Sequence, residues 1–137
     1  MVGLESRAGY GSGRASVLIA EHDEALRGGL EALLGIEGYE THVADDDAAA
    51  VEIVHHERID VVILALELPH RGGLCVVRAI RELRGIELPC VLTAREVSAR
   101  VQMTAFLEDA FTVVPEPVDD ALLKRVVASA LLRRRRR

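Results

Sequence analysis

Three short clusters in this chain combine side chains that can move protons or hold ions. Glu21-His22-Asp23 places two carboxylates around an imidazole, Glu67 and His70 flank Leu68-Pro69, and Glu116 precedes Pro117. Carboxylates beside an imidazole suit general acid–base work or a divalent cation, and a carboxylate nucleophile can accept a phosphoryl group. Thr93 adds a hydroxyl at the end of an apolar run. His22, Glu67 and His70 are metal-ligating types, but nothing in their spacing fixes a geometry, and no metal is expected. Cys75 and Cys90 lie in apolar segments with no Cys-x-x-Cys pair and read as small core residues of a cytosolic protein. No Gly-x-x-x-x-Gly-Lys loop, Gly-x-Ser-x-Gly elbow or His-Glu-x-x-His pair occurs. A flavin phosphate would be repelled by the acidic cluster after the first strand, so neither enzyme activity nor a cofactor is expected.

The elements that must position these side chains alternate. Val17 to Ala20 reads as a short buried strand, and Leu26, Leu30, Leu33 and Leu34 then fall at helical spacing up to Gly35 or Gly38. Gly28 and Gly29 lie inside that helix at a cost of roughly 1 kcal/mol each. Tyr39 to Ala44 reads as a second strand, and Asp45-Asp46-Asp47 supplies a cap and first-turn charge for a helix to about His56. Ile59 to Leu66 is an almost unbroken apolar run, as in a central parallel strand covered on both faces. Pro69 and Gly72-Gly73 form a loop before a helix over Leu74–Leu83. Leu88 to Thr93, Ser98 to Leu107 and Phe111 to Val114 read as strand, helix and strand, with Pro115 and Pro117 stopping the last. A final helix from about Asp119 carries Leu122, Leu123, Val126, Val127, Ala130 and Leu131 on its buried face. Strands alternating with helices imply a doubly wound parallel sheet with right-handed crossovers. Sites in such sheets form beyond the carboxyl ends of the strands. Here those are Glu21 to Asp23, Ala65 to Gly73, Thr93 to Arg95, and Glu116-Pro117.

A length of 137 residues fits one domain, and half the residues are hydrophobic with few aromatics, so the core is aliphatic. Residues 1–15, rich in Gly and Ser, are expected to be a flexible extension, residues 16–132 the folded domain, and 133–137 an Arg-rich tail. That tail holds five of the 17 basic residues, which leaves 12 basic against 22 acidic side chains before it. An acidic body disfavours nonspecific nucleic-acid binding, so affinity for phosphate polymers falls to the tail. The tail has three readings: a solvated helix end meeting the helix dipole, a contact with nucleic acid or an acidic protein, or attraction to an anionic membrane surface. No apolar run is long enough to span a bilayer and no leader precedes a cleavage site, so a cytoplasmic protein is expected.

In order, the stretches VLIAEHDEALR, EGYETHVADD, IDVVILALELPHRGGLCVVRAIR, LPCVLTAR and VVPEPVDDALL resemble the response-regulator receiver family of two-component signalling over about 16–132. The resemblance implies an α/β, flavodoxin-like (βα)5 fold with a five-stranded parallel sheet in the order 2-1-3-4-5. It also implies a site for phosphoryl transfer onto an Asp at the end of the third strand, served by an acid pair, a hydroxyl and a lysine. Position by position, the acid pair falls on Glu21-His22, the phosphoacceptor on Ala65, the hydroxyl on Thr93, and the lysine on Glu116, before a Pro117 whose peptide bond is often cis. A methyl group forms no acyl phosphate, and Glu116 repels an incoming phosphoryl group. Conventional phosphorylation is therefore expected to be lost. Glu67, at the pocket rim, and Asp23 are the alternative acceptors. His22 and Glu116 are expected to form a reversed polar contact, the alternative being two solvated side chains.

The same resemblance implies an output face on the fourth helix, fifth strand and fifth helix. Val101, Phe106, Leu107 and Phe111 are candidate contact residues there, with core packing as the alternative for each. A stand-alone pseudo-receiver that docks another signalling protein, or a second copy of itself, is the expected function. Nucleic-acid binding through the tail is the rival. No output domain follows the receiver-like stretch, so a direct transcriptional role is not expected.

Overall fold

A computed structural model describes residues 13–135, with side chains described as far as Arg133. The central strands are made by runs that are buried from end to end. They are β1 (Ser16–Ala20), β3 (Val61–Ala65) and β4 (Cys90–Ala94), flanked by the half-exposed β2 (Glu40–Ala44) and β5 (Thr112–Pro115). All pairings are parallel and the order is β2-β1-β3-β4-β5, as the resemblance implies. Five helices alternate with the strands: α1 (Glu24–Ile36), α2 (Asp47–His56), α3 (Gly73–Arg84), α4 (Ala99–Leu107) and α5 (Asp120–Arg135).

Strand periodicity divides the core in two, because successive side chains point to opposite faces. Leu18, Val62, Leu64 and Leu92 face Val54, Val76 and Ile80 on one side, while Val17, Ile19, Ile63 and Val91 meet Leu34, Leu123 and Val127 on the other. Both clusters are aliphatic apart from Cys90 in the first and Tyr39 and Phe111 at the margin of the second. Helix starts follow the acids and hydroxyls seen in the sequence. Asp23, Asp46, Ser98 and Asp119 accept from the backbone N–H of Leu26, Ala49, Val101 and Leu122. Asp47 reaches further, taking the Arg71 N–H at 3.1 Å, and that bond holds its carboxyl below the ordinary value.

Several strand boundaries differ from the sequence reading. Ile59 is fully buried but precedes the strand, which begins at Val61. Pro115 is the last residue of β5 and does not stop it. Its register partner is Ala94, and the next N–H, that of Glu116, turns to Ala94 O at 2.9 Å, so the position lacking a donor faces the open sheet edge. As expected, the first helix runs through Gly28 and Gly29 and ends before Gly38, whose φ of 93° supplies the left-handed exit. The last helix carries its backbone through Arg135, so most of the basic run continues the helix. Of the expected N-terminal extension, residues 1–12 lie outside the described residues, as do 136–137 of the tail.

Candidate functional site

The carboxyl ends of four strands converge on the positions expected to carry chemistry. Three of them, β1, β3 and β5, extend the ladder by one further bond: Glu21 N–H to Ala44 O (3.0 Å), Leu66 N–H to Thr93 O (2.8 Å) and Glu116 N–H to Ala94 O (2.9 Å). Ala65 pairs with Thr93 in the register, and Thr93 with Val114. Side chains at this edge are thereby set by the sheet and not by loops. Ala65 is buried and offers only a methyl group there. The Glu116–Pro117 peptide bond is cis, in keeping with the resemblance.

The loop after β3 is drawn tightly back over the sheet. Gly73 donates to Leu66 O at 3.0 Å. A Cβ at Gly73 would lie 2.3 Å from Ala65 O, so only glycine lets α3 start this close to the strand. His70, with φ 71°, is exposed and brings Nε2 to 4.0 Å from Asp46. Glu67 is exposed at the rim and pairs with Arg95 at 3.4 Å.

One expected contact is overturned. His22 does not meet Glu116; His22 is exposed and has no ion pair among the described residues, whereas Glu21 lines the same cavity as Glu116 and Thr93. The cause is strand alternation. Glu21 continues the ladder of β1 and turns inward, so the next side chain turns out. Glu21 is 8% exposed, and its Oε2 accepts the Asp23 N–H at 3.0 Å. Burial pushes its carboxyl above the ordinary value, the Asp23 N–H opposes this, and the charges of Glu116 and Asp23 push it up again. Arg27 binds the backbone instead, donating to the carbonyls of Glu21 and His22 at 3.0 and 3.3 Å.

This donor set does not fit the divalent cation that the resemblance implies. Hard cations want several oxygens converging on one point, but Ala65 offers none and His22 is exposed, outside the lining that Glu21, Thr93 and Glu116 share. His22, Glu67 and His70 are not brought together either, and no group of three or more His, Cys, Asp or Glu among the described residues is arranged to hold a metal. Cys90 is buried, its thiol pushed up to about 11 by desolvation, and Cys75 is half-buried, so both are free thiols.

On the other candidate face, Phe106 and Leu107 are exposed at 75% and 68%, Val101 is half-buried, and Phe111 packs at the core margin beneath the Arg133 guanidinium, 5.0 Å from the ring centre. The register partner of Thr93 is aliphatic, and Phe111 precedes the strand, so no aromatic of β5 stands opposite the hydroxyl. Sequence reasoning missed the cavity beside α1, whose signal is Gly29: it lines the cavity, and an added Cβ there would meet nothing within 4 Å.

Comparison with known proteins agrees with this architecture. A family model described as the response regulator receiver domain matches residues 17–128. The response regulator MprA of Mycobacterium leprae (strain TN) is 37% identical over 120 residues, covering 86% of this chain and 51% of that protein. The MprA of Mycobacterium sp. (strain KMS) is 34% identical over 120 residues, with 86% and 50% covered. The chain spans about half the length of these curated relatives. Two solved structures share the fold. A CheY-like receiver domain protein from Methanospirillum hungatei JF-1 superposes with a TM-score of 0.85 at 18% identity, covering 90% of this chain and 98% of that one. Vibrio cholerae chemotaxis protein CheY4 gives 0.82 at 23%, covering 86% and 99%. Among the described residues no helix is long and apolar enough to cross a membrane.

Proposed function

The chain belongs to the response-regulator receiver family, and from that premise we propose that it is a receiver module that signals by protein contact without accepting a phosphoryl group. The observation that carries this reading is the methyl group of Ala65 at the carboxyl end of β3, next to Thr93 in the register and sharing its edge with Glu116. Phosphoryl transfer to a carboxylate needs that carboxylate, a cation to neutralise the developing charge, and a positive group at the phosphoryl oxygens. All three roles are missing at the positions the family uses. Neither alternative acceptor restores them. Asp23 is engaged as the N-cap of α1, and Glu67 lies in an ion pair at the rim.

Binding is left as the output, and no catalysis is assigned. The α4–β5–α5 face offers the exposed Phe106 and Leu107, with Val101 and Phe111 half-buried, and suits another signalling protein or a second copy of this chain. The test is incubation of the full chain with acetyl phosphate and magnesium, read by intact mass. No phosphoryl adduct is expected in the parent. A stoichiometric adduct that maps to Asp23, Glu67 or any other carboxylate overturns the proposal. The triple variant His22→Asp, Ala65→Asp, Glu116→Lys serves as the positive control, since it returns all three roles.

A further inference from the structure

Between α1 and the turn from β5 to α5 lies a cavity of about 270 Å³ whose lining divides by chemistry. Leu26, Gly29 and Leu30 of α1, with Val118, make an apolar wall. Glu21, Glu116 and Asp120 contribute three carboxylates to the same space. A cluster of acids alone is an ordinary solvated surface, but two features set this one apart. Glu21 is more than nine-tenths buried, and one of its oxygens, Oε1, has no hydrogen-bond partner among the described residues. Thr93 is 2% exposed and lines the cavity, and its hydroxyl likewise has no partner among the described residues.

Nor do the described residues supply a counter-ion. The lining contains no cation. Of the basic groups on the flanking elements, Arg27 is committed to two main-chain carbonyls, Lys124 to Glu37 at 3.5 Å, and Arg95 to Glu67 at 3.4 Å. A buried carboxylate without a compensating charge is costly, and its facing acids add to that cost.

We propose that this cavity is a binding site for a small organic ammonium ion, whose N–H groups meet Glu21, Glu116 and Thr93 while its carbon chain lies along α1. An ammonium brings three donors and a full positive charge, which matches two carboxylates and a free hydroxyl. A divalent cation matches poorly, because no three acids among the described residues are arranged to hold one. A neutral apolar molecule leaves the buried acids unmatched. The volume falls just below the roughly 300–1,000 Å³ of ordinary ligand pockets, so the ligand is a short alkylamine and not an extended one. The missing Cβ of Gly29 keeps the approach along α1 open. Such a ligand would give the module an input where relatives use phosphate; this inference rests on the reading that no phosphoryl group occupies the pocket.

The test is a titration of the full ¹⁵N-labelled chain with n-hexylammonium chloride, followed through the amides of Gly29, Thr93 and Val118. Saturable shifts at millimolar concentration or below are expected. 1-Hexanol and magnesium chloride are expected to leave the same amides unmoved. Glu116→Lys, which places an ammonium on the chain itself, should abolish binding while keeping dispersed amide signals. Gly29→Leu, which fills the apolar wall without touching an acid, should also abolish it, and Glu21→Gln should weaken it about tenfold or more through loss of one charge-assisted contact. The proposal fails if the amine produces no shifts, if hexanol binds as well as the amine, or if Glu116→Lys binds unchanged. The phosphodonor experiment reads the underlying premise separately, so failure of either can be recognised alone.

Discussion

Removing a charge at Glu21 should strengthen the fold, because burial is the largest influence on that carboxyl and raises it above the ordinary value of 4.5. A carboxyl raised in the folded state binds protons more tightly there than in the unfolded chain, so stability falls as pH rises from the unfolded value through the folded one. Glu21→Gln keeps an oxygen for the Asp23 N–H but loses the charge that Glu116 and Asp23 oppose. The variant should melt at a higher temperature than the parent at pH 7, with the two converging as pH falls below about 4.5, the ordinary carboxyl value. A lower melting temperature at pH 7 contradicts this. The residues of the site could be named from the sequence, since Glu21, Thr93 and Glu116 all follow strands and strand ends converge in this class of sheet. Which of Glu21 and His22 turns inward could not. That depends on how far the ladder of β1 continues past Ala20, which a backbone bond to Ala44 decides. A one-residue slip in such a register reverses every side chain.

Two glycines at the ends of the same layered design should respond in opposite ways to an added methyl group. Gly28 sits in α1 with negative φ and nothing within 4 Å of a built Cβ. Ala there reduces the freedom of the unfolded chain and favours the helix, so Gly28→Ala should add about 0.5–1 kcal/mol of stability. Gly73 starts α3 against the Ala65 carbonyl, where a Cβ would lie 2.3 Å from backbone oxygen. Gly73→Ala has to move either the helix or the strand and should cost about 1–3 kcal/mol. Urea unfolding of both variants measures the pair; equal effects, or a stable Gly73→Ala, refute the packing account. The elements themselves were legible because their signals are local. Unbroken apolar runs gave the three central strands, and capping acids gave the helix starts. Gly28-Gly29 read only as a penalty, because the open space beside α1 is set by the β5–α5 turn, some ninety positions away in sequence. The end of α5 was legible, because consecutive arginines have good helix propensity and lie where the helix dipole favours cations, as the first reading of the tail has it.

At the scale of the whole molecule, the fold covers both faces of the sheet and still leaves one helix with an apolar outer surface. Met103, Phe106 and Leu107 stand at i, i+3 and i+4 on α4 and are 58%, 75% and 68% exposed, so they form a single stripe pointing away from the core. Only Ala105 of this helix is buried, so α4 holds to the sheet by a small residue while its bulky ones face out. That is the reverse of what folding alone selects, and contiguous exposed apolar surface of this kind marks an interface. A stripe lying on one helix can pair with its own copy across a two-fold axis, which satisfies both patches at once. Sedimentation velocity of the full chain should therefore show a concentration-dependent monomer–dimer equilibrium. Phe106→Glu should shift it to monomer while changing unfolding free energy by no more than about 0.5 kcal/mol, as expected for an exposed position. Because Phe106 is absent from the lining of the α1 cavity, the same variant should bind hexylammonium like the parent. If parent and variant sediment identically at every concentration, the α4 stripe does not join two copies of this chain.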